Sequence, residues 1–275
     1  MADPERGGRG ESPRGSTERL TYSGYLRLDQ VLSAQQPRTG EHDEMLFIVI
    51  HQIYELWFKQ LLHELARLQS QLESGQTTHA MRTLRRTLAI LKIVVAQLDV
   101  LETMTPTQFT RFRDALGTSS GFESAQFREL EAVLGRRDRM MVAAHPEGGQ
   151  ERDRIAAAMS RPSVFDSFLR YLAGQGYDLP ADVLGRDVTR PLEASAAVQQ
   201  VLKKVYDDDT DATAVCELLV DLDEGMQEWR YHHVKMVERT IGGRRGTGGS
   251  AGATYLQTTL GTPTFPDLWA MRSLG

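Results

Sequence analysis

The sequence predicts an all-α fold, a multi-helix bundle behind a disordered tail, on three observations. Long stretches repeat apolar residues at spacings of three and four. Ser, Thr, Asp, Pro and Gly stand where those stretches begin and end. No convincing period-two strand or hairpin turn pair occurs in the 275 residues.

The elements follow in order. Residues 1–18 are rich in Gly, Arg, Glu, Ser and Pro and hold almost nothing to bury, so they cannot offset their own ordering entropy and read as a disordered tail. A short ordered segment, YSGYLRLDQVL, precedes a polar turn, QQPRTGEHDE. The first long helix runs from Asp43 to about Leu72; it is apolar nearly all round as far as Phe58, which predicts a core location for its first half, and amphipathic beyond. A second helix, Thr78 to Thr103, carries Met81, Leu84, Leu88, Leu91, Val95, Leu98 and Leu101 on one face and should pair antiparallel with the first. Pro106, in a first-turn position, opens the short helix TPTQFTRFRDAL, which stops at the loop GTSSG. FESAQFRELEAVL is another short helix. From Gly135 to Pro191 the chain is charged and punctuated, with short helical pieces such as SVFDSFLRYLAGQG. EASAAVQQVLKKVY follows, then a long helix from Asp211 to Ile241, stopped by Gly242 and Gly243. Everything after residue 18 reads as a single helical domain.

Composition excludes several function classes. A net charge of -5, with basic residues interspersed among acids, argues against a nucleic-acid surface. The longest uninterrupted apolar run, Met45 to Ile50, falls far short of the roughly 20 residues of a membrane span. One cysteine, Cys216, and a polar N-terminus without a signal-peptide core fit a reducing cytoplasm. HExxH, CxxC and P-loop motifs are missing, as is the paired Glu-x-x-His signature of di-iron bundles.

Three helices each place a polar residue one turn from an aromatic. At about 100° per residue, Phe47 and His51 share a face of the first helix, and Phe109 and Arg113 repeat the spacing on the short one. On the last long helix the stripe Val215, Leu219, Leu222, Met226, Trp229 continues to His233, whereas His232 is rotated off it. Each residue also has a purely structural reading. A histidine on an apolar face more often completes a core hydrogen bond than binds a ligand, and Arg113 could be half of an ion pair. His42, His63, His79 and His145, in turns or on amphipathic faces, are given no role. The loop GRRGTGGSAGA, 243–253, suits either close approach to a ligand or flexible connection.

Three strings, LFIVIHQIYELWFKQ (46–60), FRDALGTSSGFESAQFRELE (112–131) and WRYHHVKMVERTIGGRRGTGGSAGATYL (229–256), closely resemble the tryptophan 2,3-dioxygenase family, haem enzymes, in its bacterial form. YSGYL and FPDLWAMRSL resemble the same family, and the likeness runs in order from about Leu20 to the C-terminus. It implies a helical haem-binding bundle that uses haem b, ferrous when active, and O2 to open the C2–C3 bond of the L-tryptophan indole, giving N-formyl-L-kynurenine. By resemblance, His233 is the proximal iron ligand and His51 the distal histidine that bonds the indole N–H. Phe47 and Phe109 are walls around the indole, Arg113 grips the substrate carboxylate, and Thr247 contacts the amino-acid end. Ser119, Ser120 and Gly121 form the loop beside the distal haem face, with Trp229 also on the cofactor side. Tyr22 and Tyr25, within 19–33, reach into a neighbouring subunit's site, implying a homotetramer. His232, next to the proximal ligand, is a competing imidazole. Rival readings are a related haem dioxygenase acting on another indole and, in a different class, a haem-free helical oligomeric binding protein.

Overall fold

The computed structural model describes residues 20–117, 124–242, 256–257 and 260–274. Among these residues there is no strand, as the all-α reading requires. The predicted tail, residues 118–121 of the GTSSG loop and the glycine-rich loop lie outside the described residues. The chain divides into two units, Met1–Gln36 and Pro37–Gly275.

In the first unit the YSGYLRLDQVL segment forms two short helices, α1 (Tyr22–Leu26) and α2 (Leu28–Val31). Thr21 caps α1 by accepting the Gly24 N–H, and Arg27, at φ 52, makes the left-handed step between the two helices. Leu20, Tyr22, Tyr25 and Leu32 are all more than 70 % exposed (74, 76, 71 and 73 %), an unusual apolar display for so short a segment.

The second unit is organised by three long helices, α3 (His42–Glu73), α4 (Thr77–Leu101) and α12 (Asp211–Ile241), with α4 against both of the others. Three residues join α3 to α4, so the pair is antiparallel. Leu61, Leu65, Leu68 and Leu72 of α3 interlock with Leu84, Leu91, Val94 and Leu98 of α4 in one apolar core. Polar links cross the seam without breaking it: the Tyr54 hydroxyl donates to the Val94 carbonyl at 3.0 Å, and Gln97 donates to the Ile50 carbonyl at 3.1 Å. Gly225 lets α12 close onto α4, since a Cβ there would stand 2.7 Å from a buried Leu91 methyl.

Shorter helices complete the frame: α5 (Pro106–Arg113), α6 (Ala125–Leu134), α7 (Arg139–Ala143), α8 (Gln150–Met159), α9 (Val164–Gly174), α10 (Ala181–Leu184), α11 (Ala196–Asp208) and α13 (Pro266–Ala270). Pro106 occupies the first turn of α5, and Thr105 and Gln108 cap it reciprocally. Asp166 does the same with Ser163 at α9 while accepting two bonds from the Arg186 guanidinium. Burial alone would raise the Asp166 carboxyl, but Arg186 and Ser163 outweigh it and hold the group below the ordinary aspartate range. The FPDLW segment is anchored by Asp223 of α12, fully buried, which accepts from the backbone N–H of Thr264 and Phe265 and from the Trp269 indole.

One expectation is corrected. The first half of α3 is not sunk in a core: Met45, Ile53 and Leu56 are 42, 37 and 57 % exposed, and only Glu44, Ile50, Tyr54 and Phe58 are buried there. Neighbouring helices of this chain cover one side of that stretch and leave an apolar strip open. His145, assigned above to a turn or an amphipathic face, is buried and donates through Nδ1 to the Met141 carbonyl at 3.1 Å. Among the described residues no helix is long and apolar enough to cross a membrane.

Candidate functional site

α12 brings Trp229 and His233, one turn apart, to the same side. Their rings stack at 4.9 Å between centroids and 14° between planes, so the indole fixes the imidazole's plane. His233 and His51 line one cavity, open at its mouth. His232 turns away from it: its side chain is 40 % exposed and lies 3.9 Å from Glu228. The stripe on α12 therefore picked the inward histidine correctly.

The floor and walls come from four helices. α3 contributes His51, Tyr54, Glu55 and Phe58; α4 contributes Leu98 and Leu101; α6 contributes Phe127, Arg128 and Glu131, starting from the cap residue Ser124, which accepts the Phe127 N–H. α12 adds Trp229, Arg230, His233 and Met236. Phe58, Phe127 and Trp229 form an aromatic floor, with Phe127 and Trp229 4.5 Å apart.

Two imidazoles in this setting are held neutral. Burial first, then the nearness of His51 and then of the Arg128 guanidinium, push His233 down to about 4. Burial also lowers His51, partly offset by its bond to the Phe47 carbonyl and by Glu55. That bond, 2.7 Å from Nδ1, fixes the tautomer: a carbonyl only accepts, so Nδ1 carries the proton and Nε2 is left as an acceptor.

Phe47 links the cavity to a second aromatic group. Its ring is 4.1 Å from His51, 5.8 Å from Phe109 and 5.6 Å from Phe112. Arg113, half-buried, ends α5 one turn beyond Phe109. Phe47 thus stands beside His51 and Phe109 beside Phe47, while Phe47, Phe109 and Arg113 are not on the cavity wall itself. Tyr22 and Tyr25 belong to the other unit. Ser119, Ser120, Gly121 and Thr247 lie outside the described residues.

The sequence reading missed a charged group. Glu131, 2 % exposed, accepts from Arg128 at 2.7 Å, Arg136 at 3.1 Å and Arg230 at 3.4 Å. In the string FRELE an Arg–Glu pair at i,i+3 reads as a solvated helix face; only packing turns it inward. Two buried donors near these residues, Trp229 Nε1 and Arg230 Nε, have no hydrogen-bond partner among the described residues. Cys216 offers no competing chemistry, its buried thiol being pushed up to about 12.

A sequence profile of the tryptophan 2,3-dioxygenase family matches residues 9–146 and 182–274. A protein of Anaeromyxobacter sp. (strain K) named tryptophan 2,3-dioxygenase is 62 % identical over 264 residues, covering 94 % of this chain and 98 % of its own. Proteins of the same name from Anaeromyxobacter dehalogenans (strain 2CP-C) and Herpetosiphon aurantiacus are 60 % and 53 % identical, each over 94 % of this chain and 98 % and 99 % of theirs.

Proposed function

From the premise that the chain belongs to the tryptophan 2,3-dioxygenase family, we propose that it inserts both atoms of O2 across the C2–C3 bond of the L-tryptophan indole, giving N-formyl-L-kynurenine, and that His233 would hold the haem b in the cavity that His51 also lines. The observation that carries this reading is the shared cavity: two neutral imidazoles from different long helices line one space.

The residues fit a haem. Neutral imidazole is a suitable iron ligand, and His233 needs no proton removed at pH 7. Among the described residues no group of three or more His, Cys, Asp or Glu side chains could hold a bare ion, so a single protein ligand suits an iron carried in a macrocycle. The unpartnered Trp229 Nε1–H and the guanidinium of Arg128 supply donors for carboxylates at the cavity wall. When bound, ferrous haem supplies the dioxygen chemistry.

The protein's part is orientation. His51 Nε2, the bare nitrogen, accepts the indole N–H, a role its locked tautomer suits without any proton transfer. Phe47 and Phe109 flank the indole, and Arg113 bonds the substrate carboxylate, each such charged bond contributing roughly 1.5 to 3 kcal/mol. Thr247 contacts the amino-acid end, and Ser119, Ser120 and Gly121 border the cofactor. Fixing ammonium and carboxylate at separate points selects one enantiomer.

The enzyme works as a cytoplasmic homotetramer in which Tyr22 and Tyr25 enter a neighbouring subunit's site. The open apolar strip of α3, with exposed Ile93 and Val100 on α4, supports an assembly that covers it. Reconstituted protein should give a Soret band that shifts with dithionite and L-tryptophan, and should turn over L- but not D-tryptophan. A protein that shows no Soret band after reconstitution sinks the proposal.

A further inference from the structure

The wall made by Glu131 and Arg230 has a second side. Behind it lies another cleft, about 1190 Å³ to its open mouth, bounded by the turn after α6 (134–138), residues 191–194 and residues 262–266. We propose that this cleft binds a small organic anion, a carboxylate or phosphate head on an apolar body, at a site separate from the one that holds the indole.

The charge count comes first. One carboxylate, Glu131, faces three guanidiniums, Arg128, Arg136 and Arg230, all within 3.4 Å of it. Asp138 shares Arg136, and Arg128 belongs to the inner cavity, so the cationic edge that the cleft itself meets is Arg136 and Arg230. Arg128 faces the inner cavity, Arg136 faces the outer cleft, and Arg230 borders both. The second observation is unspent hydrogen bonding. The Arg230 side chain is 9 % exposed, its hydrogen bonds to Glu131, 3.4 Å, and to the Thr262 carbonyl, 3.3 Å, are long, and its Nε–H has no partner among the described residues. Thr264 Oγ1, on the same cleft, is likewise buried and unpartnered. Both atoms lie just under the cleft floor, so a head group held by Arg136 at the surface reaches them when Arg230 turns about its weak bonds. Asp138, 3.7 Å from Arg136, stands at the rim and shares that guanidinium.

The rest of the cleft suits an apolar body. Leu134, Leu192 and Pro263 line it beside the charged floor. The frame is stiff: Arg137 donates to the carbonyls of Val188 at 2.7 Å and Arg161 at 2.8 Å as well as to Ala132, tying three segments together. Gly135, at φ 127, makes the turn that presents Arg136 and Arg137 side by side.

Calorimetric titration of the haem-loaded protein, saturated with L-tryptophan to fill the inner site, tests this with benzoate, phenyl phosphate and inorganic phosphate. The two organic probes should distinguish carboxylate from phosphate as the preferred head. One saturable site is expected for at least one of them, weakened about tenfold or more by Arg136→Gln and by the near-isosteric Thr264→Val, with Arg136→Lys retaining most of the affinity. Absence of saturable heat from both organic probes overturns the proposal, as does binding that neither Arg136→Gln nor Thr264→Val weakens. Inorganic phosphate binding as tightly as the organic probes overturns the apolar-body assignment.

Discussion

The two long helices that carry the histidines teach different lessons. α12 is amphipathic, its stripe from Val215 to Trp229 is buried, and the next position in the rhythm, His233, faces the cavity while His232 faces out. α3 is apolar on every side in its first half, and there the same rule has no contrast to work with. His51 does face the cavity, but Met45, Ile53 and Leu56 face outward. A uniformly apolar helix marks surfaces to be covered without saying whether this chain or another copy covers them.

That contrast can be broken at four points. His233→Ala should lower haem affinity by at least about two orders of magnitude in a Soret titration, while His232→Ala changes it no more than about twofold. A reversed result would discredit the stripe on α12. Leu219→Ala, in the α12 stripe, should lower unfolding free energy by about 3 kcal/mol, the cost of a cavity in a closed core. Leu56→Ala on the open side of α3 should cost the fold less than about 0.5 kcal/mol and instead raise the concentration at which the assembly dissociates. Chemical denaturation and analytical ultracentrifugation separate the two; equal folding costs would mean the α3 strip is not free. His51→Ala should keep a normal haem spectrum and lose roughly 10- to 100-fold in kcat/KM for L-tryptophan, the worth of one buried hydrogen bond; a loss of haem would make His51 the iron ligand. The smallest effect concerns pH. The active His51 is neutral and its pKa is depressed below the ordinary 6.5, so kcat/KM stays flat through neutrality and falls only as pH drops through that lowered value. A pH profile of His51→Ala should lack this acid limb.

Much of the fold was legible because its signals are local. The α12 boundaries, Asp211 and Ile241, follow from Thr210 as cap and Gly242 as stop, and Pro106 with the Thr105–Gln108 box marks α5. The one-turn pairing of Phe47 with His51 is likewise helix geometry, and the structure adds the ring contact and the Nδ1 bond. What was not legible depends on contacts far apart in sequence. Glu131 and Arg230 are 99 residues apart, and nothing in either neighbourhood announces their meeting. Asp223, likewise, carries no local signal that the backbone at Thr264 and Phe265 meets it. The stretch 135–191 hid α8 and the capping box of α9 because short helices in charged, Pro- and Gly-punctuated sequence carry too few periods to stand out.

The Glu131 group also constrains how this sequence can drift. Replacing Glu131 removes the carboxylate shared by the buried Arg128 and Arg230 and the partly exposed Arg136, and replacing any one arginine alters its pairing with the others, so the four positions are bound by epistasis rather than open to independent change. Double-mutant cycles should find these residues strongly non-additive, and lineages should exchange them as a set.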